Sequence, residues 1–172
     1  MLCDWDPMPE SPTLSFGLQI QPRPRMVSIV RRFVEESFSK IVGDPEAVFR
    51  ISLAVHELLE NAAKYSIGDK TGLSVHFESN GSTTSITSIK LTNQTTPEHI
   101  ERLRTCISEI QASDEPFALY QAMMRRTFGI RDESGLGLAR IRAEGELDLS
   151  LEVEGTTVTI VASCSPTRRT TA

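Results

Sequence analysis

The sequence predicts an α+β fold, a two-layer sandwich in which helices cover one face of an antiparallel or mixed sheet. Five segments alternate apolar and polar residues, which is the period of a strand with one buried face. In other segments apolar residues recur at steps of three and four, which is the period of an amphipathic helix. Because each predicted strand is apolar on one side only, we expect the other face of the sheet to be solvated.

Composition and charge exclude several classes of protein. The 172 residues are 39% hydrophobic and 24% charged, which is typical of a globular domain with one core. The net charge of −5 argues against a nucleic-acid partner, because basic residues supply most sequence-independent affinity for phosphates. No apolar run approaches the roughly 20 residues of a membrane span, and the N-terminus lacks the pattern of a secretion signal. We therefore expect a cytoplasmic protein with no membrane partner.

The first strand and helices are predicted from residues that typically start or end such elements. Residues 1–12 combine three prolines with acidic residues and predict a disordered N-terminal tail. Strict alternation predicts a strand over 13–20, and helical spacing of apolar residues predicts a helix over 26–42 that Gly43 closes. A second helix is then expected near Pro45, because the preceding Asp44 is a good N-cap and proline is favoured at the first helical position.

This second helix carries the main candidate site. It should run about 20 residues and bury a continuous apolar stripe. Beside the stripe, Glu57, Asn61 and Lys64 stand at i, i+4 and i+7, within about 60° of arc at roughly 100° per residue. Such a row is placed to line the floor of a pocket, although an isolated row of this kind is more often a solvated helix flank.

The second half of the chain predicts four more strands and three more helices. The strands span 72–79, 85–92, 147–153 and 158–162, and the helices begin near Pro97, near Pro116 and at Leu138. Asn80-Gly81 and Glu154-Gly155 predict hairpin turns. Basic residues and glycines accumulate over 125–137, which predicts a loop, and 164–172 predicts a disordered C-terminal tail. We expect residues 13–163 to form a single domain.

A glycine pair marks a second candidate site at the loop-to-helix junction Gly135, Leu136, Gly137 and Leu138. Exposed backbone N–H groups and the positive end of a helix dipole favour an anion such as a phosphate there. Taken alone, a glycine pair before a helix is more often only a turn. The pair gains weight because a carboxylate, an amide and an ammonium already share one helix face upstream.

The combination resembles the GHKL ATPase fold of gyrase, Hsp90, histidine kinases and anti-sigma-factor kinases, over roughly residues 13–162. H-E-L-L-E-N-A-A-K-Y-S resembles the N-box of this family, and E-S-G-L-G-L-A-R-I resembles its second glycine box. The resemblance implies ATP and Mg²⁺ as cofactors. It implies Glu57 as general base, Asn61 as magnesium ligand, Lys64 as a phosphate contact, and backbone N–H groups of 135–138 on the triphosphate.

One motif of the family is missing. Where the family has an Asp-x-Gly-x-Gly box, whose aspartate accepts a hydrogen bond from the adenine amino group, this chain reads L-T-N-Q-T-T-P-E. By position, Asn93 would offer its amide oxygen in place of the carboxylate. Such a bond is uncharged and therefore weaker.

Asn93, Leu119-Tyr120 and the G-L-G-L junction are further similar to the SiaB-type bacterial regulators. That resemblance implies partner switching, in which the chain phosphorylates a small STAS-like protein on Ser or Thr and a PP2C-type phosphatase reverses the reaction. A homodimer is also left open. The missing box keeps an alternative, a catalytically inactive binding module of the same fold that sequesters a partner. Hydrolysis of ATP without a protein acceptor ranks last.

Overall fold

The computed structural model describes residues 13–42, 44–80, 83–127 and 135–164. In these ranges the chain forms five strands and five helices. In chain order they are β1 (Thr13–Ile20), α1 (Pro24–Ile41), α2 (Pro45–Tyr65), β2 (Thr71–Asn80), β3 (Thr83–Gln94), α3 (Pro97–Gln111), α4 (Pro116–Thr127), α5 (Leu136–Ala143), β4 (Leu147–Glu154) and β5 (Thr157–Cys164). The predicted α+β class is confirmed.

The strands form one sheet in the order β1-β2-β3-β5-β4, and every neighbouring pair is antiparallel. β3 lies at the centre, where Leu91 pairs with Leu73 on one side and with Ile160 on the other. All three side chains are almost fully buried. An antiparallel sheet of five strands was among the arrangements that the alternation predicted.

The core lies between one face of the sheet and the helices. α2 crosses this face, and its stripe residues Ile51, Ala54, Val55, Leu58 and Ala62 have no exposed surface. The predicted stripe is therefore confirmed, apart from its last member, Tyr65, which is only partly buried. Burying a side chain the size of leucine or isoleucine stabilises a fold by about 1.5–3 kcal/mol, so this stripe fixes the rotation of α2 about its axis.

The rotation of α2 matters because it decides where the polar row points. The start of the helix is fixed by Asp44, whose carboxylate accepts a hydrogen bond from the backbone N–H of Glu46 at 2.9 Å. α3 begins in the same way, because the hydroxyl of Thr96 accepts from the N–H of His99 at 3.2 Å. Both predicted helix starts, at Pro45 and Pro97, are confirmed.

Some predicted boundaries were wrong. α1 begins at Pro24 and not at Met26, because a proline is tolerated in the first helical turn, where its missing N–H has no helical partner. The predicted loop over 125–137 is shorter at both ends, since α4 continues to Thr127 and α5 already begins at Leu136. β5 extends to Cys164, one residue into the predicted tail.

The turn between β4 and β5 is also shifted by one residue. It consists of Gly155 and Thr156, with Gly155 at a φ of 60°, a left-handed conformation that glycine adopts readily. The predicted tail over 1–12, most of the C-terminal tail, Gly43, the turn residues 81–82 and the loop portion 128–134 lie outside the described residues. Among the helices that are described, none combines the length and the apolar character that crossing a membrane requires.

Candidate functional site

A narrow cleft separates α2 from the start of α5, and we call it the α2–α5 cleft. Its lining residues are Glu57, Glu60, Asn61, Lys64 and Tyr65 from α2, and Gly135, Gly137 and Leu138 from the junction. The structure thus joins the polar row and the glycine pair, which lie about 70 residues apart in sequence. The cleft has a volume of about 30 Å³, which is room for roughly one water molecule.

The polar row runs from the interior to the surface along this cleft. The side chain of Glu57 is 14% exposed and that of Lys64 is 54% exposed, with the half-buried Asn61 between them. Lys64 Nζ lies 3.4 Å from an Oε of Glu60, one helical turn earlier. A carboxylate at the inner end and an ammonium at the mouth give the cleft a dipolar wall, and this arrangement suits a ligand whose anionic end faces the mouth.

Both glycines of the junction have close neighbours where a side chain would begin. Gly135 is the N-cap of α5 and has a φ of 100°, and a methyl group there would overlap the thiol of Cys106. A methyl group on Gly137 would overlap Oε2 of Glu57. The second glycine therefore has a specific function in this fold, since it allows the first turn of α5 to approach the Glu57 carboxylate. Neither contact follows from the sequence alone.

Leu136 and Leu138 of the junction differ in position. Leu138 is buried and lines the cleft, whereas Leu136 is partly buried and packs against the hydrophobic core without lining the cleft. Leu136 therefore contributes to the site through its backbone position at the start of α5. The predicted pair of leucines serves mainly to anchor the helix that carries the junction.

Arg140 was not predicted as a site residue, yet it is the closest polar partner of Glu57. Its Nη1 donates a hydrogen bond to Oε1 of Glu57 at 3.0 Å, and its Nε donates to Oε2 of Glu144 at 2.8 Å. Burial on its own would lower the pKa of the Arg140 guanidinium, but the hydrogen bonds and charges of Glu144 and Glu57 outweigh burial and raise the pKa. Arg140 thus holds one oxygen of Glu57 in an ion pair.

Tyr120 belongs to the same electrostatic cluster. Burial raises the pKa of its phenol, the carboxylates of Glu144 and Glu57 raise the pKa further, and the positive charge of Arg140 opposes them. The sequence singled out Leu119-Tyr120 only as part of a resemblance. In the structure α4 packs along α5, which brings the phenol near the charges that flank the cleft.

Asn93 does not line the α2–α5 cleft. It lies near the end of β3, 5% exposed, and its Nδ2 donates to the backbone carbonyl of Gln94 at 3.2 Å. Its Oδ1 is buried and has no hydrogen-bond partner among the described residues. Two residues further on, Thr95 donates its hydroxyl to the backbone carbonyl of Tyr65 at 2.7 Å, which ties the end of β3 to the end of α2.

A buried acceptor without a partner costs about 1–3 kcal/mol, so Asn93 Oδ1 is an unusual feature for a structural residue. The predicted site residues therefore fall into two separate groups, the cleft between α2 and α5 and the acceptor at the end of β3.

The donor set of the cleft fits a magnesium-bound phosphate in its chemistry. The amide oxygen of Asn61 is a hard ligand of the kind that Mg²⁺ prefers, and Lys64 and the N-terminus of α5 attract anions. The volume does not yet fit, because a cofactor the size of a nucleotide occupies a pocket of about 300–1,000 Å³.

The comparison with known proteins finds similarity at the level of structure. No protein-family profile matches the sequence, and no curated protein matches it. Among solved structures, the chain is similar to a chain in the crystal structure of the SiaB-SiaC complex from Pseudomonas aeruginosa. The two share 13% sequence identity and superpose with a TM-score of 0.57 over 88% of each chain. At this identity the similarity shows a shared fold.

Proposed function

We propose that this chain is a GHKL-type regulatory protein kinase. It binds Mg-ATP and phosphorylates a small STAS-like partner on Ser or Thr in bacterial partner switching. The observation that carries the proposal is the contact between the glycine junction and α2, the helix that resembles the N-box. At this contact Gly137 leaves room for the Glu57 carboxylate beside the first turn of α5. The shared fold supports the choice of partner, because the solved relative is itself a complex with a second protein, SiaC.

The residues of the cleft then have distinct tasks. Glu57 orients and deprotonates the hydroxyl of the partner, which requires an ionised carboxylate within hydrogen-bond reach. Asn61 supplies an amide oxygen to magnesium, and Lys64 neutralises phosphate charge at the mouth of the cleft. The bound Mg-ATP supplies the transferable phosphoryl group. Asn93 Oδ1, which lacks a partner in the described residues, accepts a hydrogen bond from the adenine amino group.

In the proposed kinase, the ion pair between Arg140 and Glu57 defines a resting state. Its hydrogen bond to Glu57 at 3.0 Å occupies one carboxylate oxygen, which is then not free to bond the hydroxyl of a partner. We therefore assign the described conformation to a form in which the base is withheld. Opening of the cleft for nucleotide would separate α5 from α2 and break this ion pair, so that binding and activation are coupled.

A second candidate is favoured by the size of the cleft. With about 30 Å³ between α2 and α5, and without an Asp-x-Gly-x-Gly box, the chain also fits a non-catalytic module that sequesters its partner. In that case Arg140 and Glu57 form a permanent structural ion pair. The two candidates differ in one property, which is affinity for Mg-ATP.

Calorimetric titration with ATP or ADP in the presence of magnesium separates the candidates. The kinase proposal predicts micromolar binding that Asn61→Ala abolishes. Gln121→Ala, which removes an exposed amide from α4, serves as a matched control and should bind like the wild type. Absence of binding at millimolar nucleotide would favour the sequestering module. A pull-down from source lysate, followed by phosphosite mapping with and without ATP, then identifies the partner.

A further inference from the structure

We propose that residues 1–12 of this chain dock on an exposed face of α1, which we call the α1 flank. The α1 flank consists of Ile29, Phe33 and Lys40, which point within about 40° of arc at roughly 100° per residue. Ile29 is 59% exposed and Phe33 is 55% exposed. Two large apolar side chains on adjacent turns of one helix form a patch, and such a patch favours burial against another segment.

β1 extends the α1 flank at its base. The ring of Phe16 meets the ring of Phe33 edge to face, with centroids 6.0 Å apart, and Phe16 is itself only partly buried. β1 is an edge strand and has no charged residue. The opposite edge strand, β4, packs against α3 and carries three carboxylates, which are features that protect an edge. The end of the sandwich at β1 is therefore apolar and open.

Residues 1–12 join β1 beside the C-terminal part of α1. Leu14 pairs with Phe77 in the sheet, and the ring of Phe77 lies 6.2 Å from the ring of Phe38 in α1. From there the apolar part of the α1 flank begins five residues back along the helix, or about 8 Å away. Trp5 stands eight residues before β1, and an extended stretch of that length spans up to about 26 Å. Trp5 can therefore reach the whole α1 flank.

The composition of residues 1–12 complements that of α1. The segment contains Trp5, the only tryptophan of the chain, and three acidic residues but no basic one. α1 carries four basic and two acidic side chains, and each acidic one is paired with the arginine four residues before it. Two positive charges of α1 thus remain, and one of them is Lys40 on the α1 flank. Glu10 is the carboxylate nearest to β1 in sequence, so it is placed to meet Lys40.

The prolines of the segment determine how it docks. Its three prolines lack the N–H donor, so the segment cannot extend the sheet beyond β1 by regular pairing. Proline favours the extended polyproline II conformation, which leaves the side chains available for contacts. The segment therefore binds through side chains, with the indole of Trp5 on Phe33 and the carboxylate of Glu10 near Lys40. A segment whose composition alone predicts disorder is thereby held against the fold.

Trp5 makes the docking measurable, because it supplies all the tryptophan fluorescence of the chain. In the wild type we expect emission at a shorter wavelength than that of N-acetyltryptophanamide, and weaker quenching by acrylamide, as for an indole packed on an apolar surface. Phe33→Asp should move the emission to the wavelength of the free compound and raise the quenching constant at least about twofold. Phe117→Asp, at a phenylalanine of α4 that is 56% exposed, is the matched control and should behave like the wild type.

A charge swap tests the contact of Glu10 without changing the packing of Phe33 on Phe16. Lys40→Glu should raise the acrylamide quenching of Trp5, because it places a negative charge opposite an acidic segment. Adding Glu10→Lys to Lys40→Glu should restore the quenching of the wild type, since opposite charges then face each other again. A double variant that is quenched as strongly as Lys40→Glu alone would overturn the pairing of Glu10 with Lys40.

The docking itself is overturned if Trp5 of the wild type is quenched like the free compound, or if wild type and Phe33→Asp are quenched equally. A shielded Trp5 that becomes exposed on dilution, with the mass of two chains in light scattering, would assign the α1 flank to a second copy and would also overturn the proposal. None of these measurements uses nucleotide, so failure of the kinase proposal would leave them interpretable.

Discussion

Replacing Gly137 by alanine tests the contact on which the candidate site depends. Alanine is a better helix former than glycine by about 1 kcal/mol, so in an ordinary helix the change would stabilise the protein. Here the added carbon would overlap Oε2 of Glu57 and lie 3.3 Å from its Cδ. The carboxylate must therefore shift, and we expect the shift to break the hydrogen bond that its Oε1 accepts from Arg140 at 3.0 Å.

The two effects have opposite signs, and their magnitudes decide the outcome. A hydrogen bond between charged groups contributes about 1.5–3 kcal/mol, and the lower end applies because the side chain of Arg140 is 38% exposed. Subtracting the gain in helix propensity, we expect Gly137→Ala to lower the free energy of unfolding by about 0.5 kcal/mol. Urea denaturation followed by circular dichroism measures this change.

A double-mutant cycle supplies the control. In the Glu57→Ala background the carboxylate is absent, so Gly137→Ala should stabilise the protein by up to about 1 kcal/mol, as helix propensity alone would. The sign of the effect therefore reverses between the two backgrounds. If Gly137→Ala stabilises the wild type and Glu57→Ala equally, the glycine is not needed for Glu57 to lie close to α5, and the reasoning is refuted.

Three further predictions concern the elements around the cleft. Gly135→Ala should destabilise the fold by more than about 2 kcal/mol, and Cys106→Ala should rescue it only in part, because the φ of 100° remains costly after the overlap with the thiol is removed; full rescue would contradict this. Burial, aided by the charge of Glu109, raises the pKa of Cys106 to about 11. The unfolded chain loses this proton first, so Cys106 makes stability fall as the pH rises from about 9 to about 11, by about 2–3 kcal/mol at most, and the decline should be smaller in Cys106→Ala. Asp44→Ala removes the cap of α2 and should cost about 1 kcal/mol in a thermal melt, whereas no loss would show that the cap contributes nothing.

Local signals were sufficient to predict those helices and strands whose sequence signals lie within or next to the element itself. Asp44 and Pro45 are adjacent in sequence, so the start of α2 could be predicted, and the spacing of Ile51, Val55 and Leu58 alone fixes which side of the helix is buried. Once that side is known, the direction of the polar row follows from helix geometry. The strands were predicted for the same reason, since alternation is a property of neighbouring residues.

The electrostatics of the site could not be predicted, because they depend on contacts between distant segments. Arg140 and Glu144 stand four residues apart on one helix and were readable as a pair, but the hydrogen bond from Arg140 to Glu57 joins residues 83 positions apart. The overlap between Gly137 and Glu57 has the same origin. The open groove between α1 and α2 could not be predicted either, since it forms only when these two helices pack together.

Asn93 shows a second limit of what can be predicted from the sequence. The position was identified by its place in the order of motifs, and the structure adds that its Oδ1 is a buried acceptor without a partner in the described residues. It does not line the α2–α5 cleft, which holds the residues proposed for the phosphate end of the site.

Transfer of the γ-phosphate tests the central claim most directly. The partner recovered with this chain is incubated with γ-labelled ATP and magnesium, with wild type and Glu57→Gln in parallel, and labelled Ser or Thr is quantified. We predict labelling by the wild type and a decrease of at least about 100-fold in the rate for Glu57→Gln, which is the usual contribution of a general base. Equal labelling by the two proteins would contradict the role of Glu57, and ATP binding without any labelling would contradict kinase activity.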